Sequence, residues 1–185
     1  VTRFGYVMSA YFATMGIVIT SFVAMPLRLL WNASASVPIG FYDIDPPREL
    51  AVGDLVAVLP DEALASMMVA RGYIAPGVPL LKRIAAVAGQ EICRRNRAIT
   101  IDGAPVGDAL ERDRKGRDLP TWRGCRRVAP GELFLMNTNV PDSLDGRYFG
   151  PLPRAGVVGK ARPLWTDEAG DGRFVWHADT SPTPP

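Results

Sequence analysis

Two patterns of apolar residues divide the chain. Residues 4–27 carry no charged side chain. About 24 residues at ~1.5 Å rise reach ~36 Å, enough to cross a hydrocarbon core with some tilt. Arg3 and Arg28 flank the run, and Tyr6 and Trp31 stand where interfacial aromatics sit. The pattern predicts a transmembrane signal-anchor over residues 1–30. A cleaved secretory signal is the other reading, with Ala33-Ser34-Ala35 as an A-x-A site. The run exceeds the usual apolar region of such a signal, which favours the uncleaved anchor.

Beyond the anchor the period drops to two. Residues 53–59 alternate into a strand that Pro60 ends. Residues 61–71 predict a short helix, with Asp61 and Glu62 in the first turn and Gly72 past its end. Residues 80–87 form an apolar strand broken by Lys82-Arg83, and residues 98–106 a hairpin turned by Asp102-Gly103. Residues 107–123 are polar and charge-mixed, a surface insertion. Strands are predicted again at 131–136 and 157–164. No βαβ rhythm and no repeat occurs. The expectation is a mainly β, antiparallel domain over residues 31–166, followed by a disordered tail over 167–185.

Composition removes several functions. The 185 residues are 48% hydrophobic with a net charge of +2, and no basic helix interleaves aromatics, so no nucleic acid is expected. No Walker loop or GxGxxG follows a strand. The single histidine, His177, lies in the polar tail, where no imidazole is held in hydrogen-bond geometry for a catalytic triad. One His and two Cys are too few for a structural zinc site, so neither metal nor cofactor is expected. Cys93 and Cys125 are an even pair. In a tethered domain they fit a disulfide formed in an oxidising compartment, two unpaired buried thiols being the alternative.

Candidate chemistry gathers at three places. Asn32-Ala33-Ser34-Ala35-Ser36-Val37-Pro38-Ile39-Gly40 presents hydroxyls on small residues, followed by a Pro-x-Gly turn, just past the anchor. Ser36 then needs a base. Lys82 is one of three lysines and sits among Leu80, Leu81, Ile84 and Ala85, whose apolar surroundings lower an ammonium's pKa. A base near neutrality requires a fall from ~10.4 to ~7–8, about 3–5 kcal/mol. Strand alternation puts Lys82 and Arg83 on opposite faces. A lysine that merely snorkels to water is the plainer reading. The third place is Asp142-Ser143-Leu144-Asp145-Gly146-Arg147-Tyr148-Phe149-Gly150. It is either a turn pinned by an Asp145–Arg147 pair or a support that lets Ser143 orient the lysine amine.

Taken together, Ser-x-Pro-x-Gly after an anchor, Leu-Lys-Arg-Ile before Gly89, and Ser-x-Asp-x-Arg-Tyr-Phe-Gly resemble the type I signal peptidase superfamily. The Asn-x-Ser-x-Ser-x-Pro-x-Gly-x-Tyr form, with Pro-Gly-Val-Pro-Leu-Leu-Lys-Arg, is similar to its TraF-type conjugative transfer peptidases. The resemblance implies Ser36 as nucleophile and Lys82 as general base, within hydrogen-bond reach in a competent state. It implies Ser34 and the Ser36 N–H as an oxyanion hole, Ser143 as the residue orienting the lysine, and Asp145 with Arg147 as supports. Gln90 and Gly146 depart from the family's Gly-Asp and Asp-Ser-Arg. The implied protein is a single-pass inner-membrane endopeptidase with a periplasmic domain, processing the membrane-embedded pilin precursor of a type IV secretion system, with a linear or a cyclised pilin as the two outcomes. A general signal peptidase and a non-enzymatic scaffold of a secretion complex remain the alternatives.

Overall fold

A computed structural model describes residues 2–22 and 27–178. The chain opens with helix α1 (Arg3–Phe22), followed by β1 (Leu29–Asn32), β2 (Ile39–Asp45), β3 (Leu55–Val58) and helix α2 (Glu62–Ala70). Then come β4 (Leu80–Ala86), β5 (Glu91–Arg95), β6 (Ala98–Ile101), β7 (Ala104–Asp108), β8 (Gly124–Arg127) and β9 (Glu132–Leu135). A one-turn helix α3 (Gly146–Phe149), β10 (Leu152–Pro153), the long β11 (Val157–Asp167) and β12 (Val175–Trp176) complete it. The fold is mainly β. An eight-stranded sheet runs β1-β2-β11-β3-β4-β9-β10 with β12 on β11, and a four-stranded sheet runs β7-β6-β5-β8. Every named pairing is antiparallel.

Local chemistry explains the elements. Asp61 caps α2 by accepting the Leu64 N–H at 2.9 Å, and Gly72, at φ +70°, lets the chain leave it. Asp102 and Gly103 both take positive φ, as a tight primed turn between β6 and β7 requires. Central strands β3 and β4 are buried on both faces near Val56 and Lys82, which lie opposite each other. Val56, Met68, Ile84, Leu135 and Leu152 form one core cluster; Ile92, Ile99, Phe134 and Met136 close a second beneath the small sheet. Cys93 and Cys125 face each other across β5 and β8 and are disulfide-bonded.

Two expectations change, and one finding bears on the anchor. The sequence around Pro38 and Gly40 looks like a turn, yet Gly40 lies inside β2. A Cβ there would stand 2.2 Å from the Trp165 carbonyl oxygen, so only glycine lets β11 pass. The tail, expected to be disordered from residue 167, is ordered through residue 178. The Asp167 carboxylate accepts the N–H groups of Asp171 and Gly172 at 3.1 and 2.9 Å and reverses the chain, and Phe174 packs on Trp165 with ring centroids 4.5 Å apart. Residues 179–185 of that expected tail lie outside the described residues. Finally, no helix among the described residues is long and apolar enough to cross a membrane. Helix α1 covers most of the expected anchor; residues 1 and 23–26 of it lie outside the described residues.

Candidate active site

The loop between β1 and β2 is built around one side chain. Asn32 is buried, and its Nδ2 donates to the carbonyls of Ser34, Val37 and Pro38 at 2.7, 3.1 and 3.0 Å. Its Oδ1 accepts the Ser34 N–H at 3.1 Å. Tyr42, wholly buried, donates its hydroxyl to the Pro38 carbonyl at 2.7 Å, and burial pushes its phenol pKa up. Five bonds therefore hold a loop whose small residues leave Ser34 exposed and Ser36 half-buried. The two hydroxyls lie 2.9 Å apart.

Across from this loop, Lys82 sits at the middle of β4, 4% exposed. Its Nζ donates to Ser143 Oγ at 2.8 Å. Desolvation is the main influence on the amine. It outweighs the attraction of Asp145 and brings the pKa down to about 8. Arg83 turns the other way, donating to the Gly53 carbonyl at 3.0 Å. Ser143 is equally buried, so the lysine is tethered inside protein instead of snorkelling out. Ser36 and Lys82 line the same cleft, about 750 Å³ in volume. They are not hydrogen-bonded to each other here: Ser36 Oγ is engaged by Ser34 and Lys82 Nζ by Ser143.

Asp145 and Arg147 form a buried fork, with Arg147 Nε on Oδ1 and Nη2 on Oδ2, both at 2.9 Å. The same guanidinium gathers the carbonyls of Val140, Pro141 and Ser143 at 2.7, 3.0 and 3.1 Å. The arginine thus folds the 137–145 loop around itself and fixes the backbone that carries Ser143. Gly146 stands where a Cβ would come 2.7 Å from both the Leu135 carbonyl oxygen and the Phe134 ring, so the departure at this position is a packing requirement. Gln90 bridges the Val87 N–H and Asp102 Oδ2 in the connection of β4 to the small sheet, and it does not line the cleft. Neither does His177.

One residue that sequence reasoning missed joins the three motifs. Asn137 follows β9 and continues its ladder with a side chain. After Met136 N–H donates to the Arg83 carbonyl, Asn137 Oδ1 accepts the Arg83 N–H at 3.0 Å and Nδ2 donates to the Leu81 carbonyl at 3.3 Å. The same Nδ2 donates to the Ser36 carbonyl at 2.7 Å, and the Asn137 N–H donates to Asp145 Oδ2 at 3.1 Å. One amide thereby ties the Ser36 backbone to the two peptide groups around Lys82. Nothing in Met136-Asn137-Thr138-Asn139 marks this residue in advance, because its side-chain partners lie 54 to 101 positions away.

The arrangement supplies a half-buried hydroxyl, a desolvated amine of lowered pKa and a rigid frame around both. Comparisons with known proteins give the family. The model of the family described as signal peptidase, peptidase S26, matches residues 2–165. The chain is 37% identical to conjugal transfer protein TraF of Agrobacterium fabrum over 145 residues, covering 73% of this chain and 81% of that protein. It is 28% identical to plasmid transfer protein TraF of Escherichia coli over 85% of this chain and 86% of that one. It is 30% identical to a probable signal peptidase I-1 of Synechocystis over 65% of this chain and 55% of that one. A crystal structure of a signal peptidase I from Enterococcus faecalis aligns with a TM-score of 0.37 at 21% identity, covering 61% of this chain and 97% of that one.

Proposed function

The chain belongs to the signal peptidase family, peptidase S26, and from that membership we propose a membrane-anchored serine endopeptidase of conjugal transfer that cuts a pilin precursor. One observation carries the chemistry: a lysine buried to 4% exposure, bonded to Ser143 at 2.8 Å, in the cleft that Ser36 enters. The neutral amine gives one hydrogen to Ser143 and keeps its lone pair for Ser36. Ser36 Oγ exchanges its Ser34 partner for Lys82 Nζ, loses its proton to that amine and attacks the peptide carbonyl. The Ser36 N–H and the Ser34 hydroxyl face the oxygen that becomes negative. Lys82 passes the proton to the leaving nitrogen, and an ester to Ser36 remains.

Water, deprotonated in turn by Lys82, hydrolyses the ester and gives a linear product. An amine held beside the ester competes with water through its effective molarity and re-forms a peptide bond. If that amine is the pilin's own N-terminus, the product is circular. The relatives named for conjugal transfer support the setting, since they align over more of the chain than the Synechocystis peptidase does. The exposed Phe4, Tyr6, Val7 and Ile17 of α1 support a membrane anchor. So do Trp31, which follows that helix closely in sequence, and Trp176, both exposed in a cluster with Phe41, Trp165 and Phe174. The Cys93–Cys125 bond supports a periplasmic domain.

The test is pilin processing in cells carrying Ser36→Ala or Lys82→Arg. Both are expected to leave the precursor uncut while the protein stays folded, because arginine does not give up its proton. Processing that persists in Lys82→Arg removes the lysine from the base role. Intact mass of the mature pilin separates the two outcomes of the ester, the circular form being one water lighter.

A further inference from the structure

Opposite Ser36 the cleft has a second wall, made by the segment after α2 and the loop at 109–119. The loop is well tied. Asp113 Oδ1 accepts the N–H groups of Lys115 and Arg117 at 2.8 and 2.9 Å, and its Oδ2 accepts Tyr73 Oη at 2.6 Å and Arg117 Nε at 2.7 Å. Led by the Tyr73 bond, these donors hold the Asp113 carboxyl well below the usual carboxylate range. Arg71 Nη1 donates to the Asp118 carbonyl at 2.7 Å and Arg117 Nη1 to the Arg71 carbonyl at 3.0 Å, so the two segments are stitched in both directions. The Leu110 N–H donates to Tyr148 Oη at 3.0 Å, which joins the wall to the helix bearing Arg147.

Charge on this wall is unbalanced. Arg71, Arg114, Lys115 and Arg117 line the cleft with only Asp113 and Asp142. Arg117 pairs with Asp113 and Arg114 with Asp142. Arg71 and Lys115 have no carboxylate partner among the described residues. The same cleft carries apolar lining as well, with Met68, Ile74, Leu80 and Leu144. An extended peptide that leaves Ser36 along this cleft lays apolar side chains on that floor and then meets two uncompensated cations.

We propose that Arg71 and Lys115 read a carboxylate on the substrate, on an Asp or Glu side chain near the scissile bond or at a free C-terminal end. This rests on the peptidase reading and adds a selectivity to it. A structured wall holds Arg71 in place, so little side-chain ordering opposes the contact there, while exposed Lys115 contributes a long-range attraction that salt weakens.

The test uses the full chain in detergent and acetylated peptides of about ten residues with Ala-Leu-Ala before the scissile bond. One series carries Glu or Gln at each position in turn with an amidated end; the other carries no acidic residue and ends in a free carboxylate or an amide. Affinity is read by calorimetry on Ser36→Ala, and kcat/KM on the unaltered protein. One carboxylate position is expected to gain about fivefold over its neutral counterpart, the worth of an exposed charge contact. The gain should vanish in Arg71→Ala/Lys115→Ala, fade at high salt and survive in Arg71→Lys. A gain from internal Glu identifies a side chain, and one from the free end identifies a terminus. Absence of any carboxylate-dependent gain, or a gain that persists in the double variant, overturns the proposal. Failure of the peptidase reading is separate: pilin cleavage that survives Ser36→Ala.

Discussion

Removing the Asn137 amide separates what this residue holds from what it merely fills. In Asn137→Ala the Ser36 and Leu81 carbonyls lose their Nδ2 donor, and the Arg83 N–H loses its acceptor. The site is buried, with Asn137 4% exposed, so water replaces these partners poorly. Each buried group left unpaired costs about 1–3 kcal/mol. Relaxation lets some of them find other partners, and a net loss of about 2–4 kcal/mol is expected. The Ser36 loop keeps its Asn32 and Tyr42 bonds and therefore stays formed, but its carbonyl is no longer fixed relative to β4. A displacement of about 1 Å between nucleophile and base costs on the order of a hundredfold in rate. The expected result is a fall of roughly that size in kcat, with KM within about threefold. Urea unfolding gives the stability and single-turnover cleavage of a pilin precursor gives the rate. A variant that loses stability yet keeps kcat within about twofold of the parent refutes the positioning role and leaves Asn137 a structural residue only.

Three further outcomes follow from the same contacts. Lys82→Met should abolish turnover yet raise stability at pH 7 by up to about 3 kcal/mol. The folded protein depresses the lysine pKa, so the unfolded chain binds the proton more tightly, and parent stability rises with pH from about 8 to about 10.5; urea titrations of parent and variant should converge across that window. Asp145→Asn leaves the buried Arg147 without its charge partner and should cost about 3–5 kcal/mol, with activity falling in step with loss of structure; a variant that unfolds like the parent but is inactive assigns Asp145 a direct chemical role. Replacing Cys93 and Cys125 by Ser opens a loop of sequence separation 32 and should cost roughly 3–4 kcal/mol, while alkylation of protein from the native compartment should find no free thiol.

The parts of the site that were legible in the sequence are those whose chemistry is local. Lys82 stands out because its neighbours along the strand are apolar, and desolvation by those neighbours is what lowers its pKa. Asp145 and Arg147 are two residues apart, and their fork closes within one turn. Asp102-Gly103 encodes its hairpin directly. What the sequence concealed depends on distant partners. Asn137 acts through bonds to β4 and to the Ser36 loop. Gly40 reads as a turn residue, but its reason is the passage of β11 overhead. The tail looks polar and low in order, yet Phe174 and Trp176 find aromatic partners on β1 and β11 that only the folded sheet assembles.

The central claim is that Lys82, its pKa lowered by burial, takes the proton of Ser36 in its neutral form. The pH dependence of kcat/KM tests it most directly, since that quantity follows ionisations of the free protein. The account predicts a rate that climbs with pH and levels off through a single ionisation at about 8, the value to which desolvation brings the Lys82 amine. A profile flat across that region, or one still climbing toward the ordinary lysine value near 10.5, contradicts it.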